Sequence, residues 1–112
     1  MTMIDTKERT SYGEGAAIRE PQTGKPRMDL FPPEAMLRLG MWYGEGGKKY
    51  GDRNWEKGML FSHYVGAILR HTYKYMANDR SDDHLAAIAW NALAMMHHEE
   101  RGEDTEWNDY KS

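Results

Sequence analysis

Cysteine is absent from this 112-residue sequence, which removes disulfides, thiolate zinc sites and cysteine nucleophiles at once. Long apolar runs are missing too. The longest, Ala86 to Met96, is broken by Asn91 and falls short of the roughly 20 residues that cross a bilayer. No segment alternates with strand period, and none repeats. A basic surplus is also lacking: 15 Lys and Arg against 18 Asp and Glu leave a net charge of −3, without the positive face a duplex-binding protein needs. Met1 to Arg9 carries no apolar stretch and does not read as a secretory signal. These absences point to a cytoplasmic protein with neither membrane nor duplex nucleic acid as partner. At 13.0 kDa there is room for one domain, and so small a core favours a homo-oligomer over a deep monomeric cleft.

The patterns that are present are helical. Residues 1–27 are rich in Gly, Thr, Glu and Lys without period and read as an extended arm; residues 28–101 read as a helical domain and 102–112 as an acidic tail. Pro32 and Pro33 followed by Glu34 mark a helix start, with Met36, Leu37, Leu39, Met41 and Tyr43 on its apolar face. Gly44, Gly46 and Gly47 weaken that helix at modest cost, although Lys48 to Tyr50 can continue it. Gly51 to Gly58 reads as a loop. Phe61, Val65, Ile68, Leu69, Thr72 and Met76 then form one stripe of a 3.6-residue period, predicted to be core. Ser81, Asp82 and Asp83 are good starting residues for a third helix, in which Leu85, Ile88, Ala89, Ala92, Leu93 and Met96 share an apolar face. His97 and His98 fall at its end, where the helix dipole favours cations, and read as surface residues. The predicted fold is all-α: a small bundle of three main helices with an extended N-terminal arm.

Candidate chemistry gathers in two places. The segment GGKKYGDRNWEKG, Gly46 to Gly58, brings glycines that admit close backbone approach, the cations Lys48, Lys49 and Arg53, the amide Asn54, and the aromatics Tyr50 and Trp55. Cations hold phosphates and an aromatic face stacks on a base. The competing reading is a solvated loop whose Tyr50 and Trp55 plug the core. The GKS or GKT ending of a Walker loop is absent. On the helices, Arg70 and His71, then His84 and Asn91 two turns apart, could share one pocket and donate to phosphate and base edges; alternatively His71 and Asn91 are satisfied polar groups at a helix interface. A metal-dependent helical phosphohydrolase needs several carboxylates spaced three or four residues apart on facing helices. None occurs between Phe61 and Asn78, and the third helix carries acids only at its ends. No residue is assigned a catalytic role.

The strings GKPRMDLFPPEAM, KYGDRNW, the Arg70-His71 pair and DHLAAIAWNAL, spread from about Gly24 to Met96, resemble the small phage-encoded family described as dATP/dGTP diphosphohydrolase, N-terminal domain. That family is similar to the all-α MazG-like nucleotide pyrophosphohydrolases, which are oligomers that use magnesium to split a triphosphate into monophosphate and pyrophosphate. The resemblance implies a MazG-like fold, purine nucleotides and a phage protein in the host cytoplasm. The chain departs from the pattern in having no acid between His84 and Asn91, and Ala87 where the family often shows a second His. Nucleotide contacts without metal ligands lead to the first expectation: capture of a purine nucleotide or cyclic nucleotide defence signal without hydrolysis and without a cofactor, through Lys48, Lys49, Tyr50, Arg53, Asn54, Trp55, Arg70, His71, His84 and Asn91. The alternative is a magnesium-dependent dATP/dGTP diphosphohydrolase in which Glu34, Asp52 and Asp83 meet around the metal through oligomerisation. A third is a protein-interaction module that docks through the acidic tail.

Overall fold

The computed structural model describes residues 10–11, 14–21 and 23–110; the readings of Met1 to Arg9 and of Lys111 and Ser112 fall outside them. The chain divides into two units after Phe31. In the first, β1 (Thr10–Ser11) pairs antiparallel with β2 (Ile18–Arg19), Thr10 opposite Arg19 and Ser11 opposite Ile18. A 3-10 turn at Met28–Leu30 follows, with Arg27 donating to both carboxylate oxygens of Asp29 at 2.8 Å. Two residue pairs make no sheet layer, so the protein is all-α.

The second unit contains α1 (Pro33–Tyr50), α2 (Phe61–Met76), α3 (His84–Glu100) and the single turn α4 (Asp104–Trp107). Pro33 occupies the first turn of α1, where its missing N–H is not needed. The helix runs through all four of its glycines and stops at Gly51, whose φ of 97° only glycine adopts readily. A 3-10 turn, Asn54–Lys57, shapes the loop after it. Asp83 caps α3 by accepting from the Ala86 N–H at 3.2 Å.

The N-terminus of α2 has no side-chain cap of its own, since Leu60 stands there. The tail supplies it: the Asp109 carboxylate accepts from the Ser62 N–H at 2.9 Å and from the Ser62 hydroxyl. The residues after Gly102 are thus built into the helical unit. Trp107 of α4 packs on the core cluster of Phe61, Tyr64 and Ala94, together with Trp90 and Met95. Its indole lies so close to Gly58 that a Cβ there would sit 2.5 Å from the ring nitrogen.

Three expectations about faces are corrected. The inward stripe of α3 is His84, Ala87, Asn91, Ala94 and His98, small and polar residues at alternating three- and four-residue spacing. On the apolar face expected of this helix Leu85, Leu93 and Met96 point outward, Leu85 46% and Met96 56% exposed. In α2 the stripe enters the core at Phe61, but Leu69 and Met76 are exposed. The surface reading of His98 fails because α4 folds back over it: the ring is fully buried and its Nδ1 lies 2.8 Å from Glu103 Oε1. Among the described residues no helix is long and apolar enough to cross a membrane.

Candidate functional site

The packing of α1 against the α2–α3 pair leaves a cleft of about 780 Å³, within the range of small-molecule sites. Arg38, Trp42, Glu45 and Lys49 line it from α1; their spacing of four, three and four residues puts them on one face of the helix. Tyr50, Asp52, Asn54 and Trp55 line it from the end of α1 and the following loop. His71 of α2, Asp82 and Asp83 before α3, and Trp90 and Asn91 within it complete the wall.

Lys49, Tyr50, Asn54, Trp55, His71 and Asn91 of the expected nucleotide site come together here. Lys48, Arg53, Arg70 and His84 do not line the cleft. Lys48 lies 3.5 Å from Glu45 one turn back. Arg53 pairs with Glu56 and stands over the Trp55 ring, 5.4 Å from its centroid. Arg70 folds along its own helix, its guanidinium 3.2 Å from where a Gly66 Cβ would lie. His84 is buried directly behind His71, the two Nδ1 atoms 2.9 Å apart. Trp42 was not among the expected residues, although its spacing from Arg38 and Lys49 was readable; it meets the His71 ring edge-on at 6.4 Å. The cleft continues into the core through an aromatic chain in which Tyr43 meets Trp55 at 6.0 Å and Trp90 at 6.5 Å, and Trp90 meets Tyr64 at 6.3 Å. Burial pushes the Tyr43 phenol above its ordinary pKa, keeping that ring neutral.

The charges are arranged unequally. Arg38 donates two bonds to Asp83, at 2.7 and 2.6 Å, and this guanidinium holds the Asp83 carboxyl below the usual range. That cation is already neutralised, which leaves Lys49 beside the glycine-rich end of α1 as the cation for an anionic ligand. Gly47 serves close packing there: a Cβ would fall 2.8 Å from Asp52 Oδ1. At the opposite end, burial foremost and then the neighbouring His84 hold His71 below its ordinary pKa. The buried Asn91 donates its amide to the Ala87 carbonyl at 2.7 Å.

Within a single chain the carboxylates expected to meet around magnesium through oligomerisation, Glu34, Asp52 and Asp83, are not brought together. Glu34 stands in the first turn of α1 and Asp52 beyond its last, roughly 25 Å apart along the axis. Asp83 is bound to Arg38. Among the described residues the one group of three side chains spaced for a metal ion is His97, His98 and Glu103, outside the cleft wall.

Fold and site thus define a small all-helical domain with a cleft of nucleotide size, aromatic along its walls and holding Lys49 among the carboxylates Glu45, Asp52 and Asp82. The chain belongs to the family described as dATP/dGTP diphosphohydrolase, N-terminal, whose model matches residues 16–108. It is accordingly a nucleotide-handling domain related to dATP/dGTP diphosphohydrolases. No curated protein and no solved structure matches it.

Proposed function

We propose that this domain captures a purine nucleotide in the cleft between α1 and the α2–α3 pair, with its phosphates at Lys49 and the glycine-rich end of α1 and its base among the aromatic walls. The family supports the ligand class. The observation that favours capture is the engagement of Asp83 by Arg38, which occupies one of the expected metal carboxylates within the chain. Among the expected site residues, Tyr50 supplies the exposed ring suited to stacking, an interaction worth about 1–3 kcal/mol per base. The working form is an oligomer of identical chains, in keeping with the apolar residues that α2 and α3 turn outward.

Incubation of the protein with magnesium and dATP, dGTP or a cyclic dinucleotide, followed by chromatography of the filtrate before and after heat denaturation, tests the reading. A nucleotide that disappears and returns intact on heating is captured. Catalytic accumulation of monophosphate and pyrophosphate would establish the second reading, a magnesium-dependent diphosphohydrolase, which the family description and the presence of Glu45, Asp52 and Asp82 on the cleft wall favour.

A further inference from the structure

His71 and His84 meet through like atoms, Nδ1 to Nδ1 at 2.9 Å. One of these nitrogens must donate and the other accept. The buried geometry behind them decides which. His84 is 4% exposed, and its Nε2 has no hydrogen-bond partner. The nearest acid is Asp79, whose Oδ1 lies 3.6 Å away, an ion-pair distance longer than a hydrogen bond. That carboxylate is anchored by the Ser81 N–H and hydroxyl at 2.8 and 2.6 Å. A bare Nε2 lone pair facing a carboxylate would be repelled, whereas an Nε2–H is attracted. With a single proton on the ring, His84 therefore keeps it on Nε2 and presents a bare Nδ1. His71 must then donate from Nδ1, and its own Nε2 is left as an acceptor on a ring that lines the cleft.

Asn91 reaches the same polarity independently. The Ala87 carbonyl can only accept, so the amide nitrogen of Asn91 is fixed toward it, and Oδ1 is the atom left for a ligand. Asp82 lines this end of the cleft as well. Phosphate oxygens would meet acceptor against acceptor here. Purine N–H groups would be matched.

We propose that Asp79 and the buried His84 form a relay that locks His71 in its Nδ1–H form, so that His71 Nε2 and Asn91 Oδ1 read the exocyclic amine of a purine base. His71 and Asn91 are the specificity residues; Asp79 and His84 are positioning residues. This rests on the nucleotide reading above and reverses the expectation that His71 donates to phosphate.

The experiment has two independent readouts. Long-range proton–nitrogen NMR of the imidazoles at about pH 8, on the nucleotide-free protein, should find His71 as the Nδ1–H tautomer and His84 as Nε2–H. In Asp79→Asn, which keeps an acceptor for Ser81, the His71 proton should redistribute between its two nitrogens. An Nε2–H His71 in the unsubstituted protein, or no change in Asp79→Asn, overturns the relay. The binding readout compares dATP with its analogue lacking the 6-amino group, and dGTP with dITP, which lacks the 2-amino group. Affinity should fall roughly tenfold for the amine-free member of at least one pair. His71→Ala and Asp79→Asn should flatten that ratio, and equal affinities within both pairs overturn base reading. If none of the four nucleotides binds while His71 shows the stated tautomer, the relay stands and the nucleotide reading fails.

Discussion

Arg38 on α1 and Asp83 at the start of α3, forty-five positions apart in sequence, are joined by two parallel hydrogen bonds of 2.7 and 2.6 Å. The same carboxylate caps α3 through the Ala86 N–H. One side chain therefore ties α1 to α3 and starts the helix that carries Asn91. Asp83→Ala removes both functions, and loss of the cap alone costs about 1 kcal/mol. Arg38→Ala keeps the cap and should destabilise less. Urea unfolding compares the two; an equal loss in both would show that the cap contributes nothing.

Gly58 is constrained in two ways. Its φ of 87° disfavours any side chain, and a Cβ would press on Trp107. Gly51 has a similar φ of 97° but open space around it. Gly51→Ala should therefore cost about 1 kcal/mol through the backbone alone, and Gly58→Ala some 1–3 kcal/mol more through overpacking. Thermal melts of the two variants, with Gly15→Ala as a second open-space comparison, check the difference.

Trp107 closes the core from the tail side. Trp107→Ala should cost roughly 3 kcal/mol, and deletion of residues 103–112 should cost more, because it also removes the Asp109 cap on α2 and the Glu103 partner of His98. A tail that served only as a docking peptide would be deleted without change in melting temperature.

The outward apolar face of α3 makes a prediction about assembly. Leu85, Leu93 and Met96 are exposed on the single chain and are not among the residues that line the cleft. Leu93→Glu should shift the protein to smaller species in size exclusion with light scattering, while its helical circular dichroism is retained. An unchanged mass would move the subunit interface elsewhere.

Acid should weaken the fold in a defined window. Hydrogen bonds from the Ser81 hydroxyl and N–H, with His84 adding to them, lower Asp79 from its ordinary 3.8 to about 2. A depressed folded-state pKa contributes stability that is fully present above the ordinary value and is lost as pH falls through the folded one. Asp83, lowered by Arg38, and Asp109, lowered by Ser62, act in the same direction. Melting temperature should be flat above about pH 5 and fall between about pH 4 and pH 2, less steeply in Asp79→Asn. A melting temperature that rose on acidification through that range would contradict this account.

Much of this architecture is legible in local sequence because its causes are local. Pro33 starts α1, Gly51 stops it and Asp83 caps α3 through interactions within a few residues of each. The loop aromatics and Lys49 could likewise be picked out, because cations, glycines and rings crowd one short segment. Arg53 and Arg70 could not be sorted from Lys49 in that way: all are cations, and only their partners, Glu56 for Arg53 and the helix surface at Gly66 for Arg70, decide that they do not line the cleft.

The sequence by itself determined three helices, the start of α1 and the cap of α3, and the nucleotide-handling family, since periodicity, turn residues and a contiguous motif are properties of the chain read in order. Tertiary structure alone decided which face of each helix turns inward. The apolar stripe of α3 and its small, polar stripe are both helically periodic, and periodicity carries no sign for inside and outside. The choice was made by what each stripe meets: small Ala87 and Ala94 allow the helices to close, His98 finds Glu103 on the returning tail, and His84 meets His71. Leu85 and Met96 remain outside, where a single chain offers them nothing to pack against.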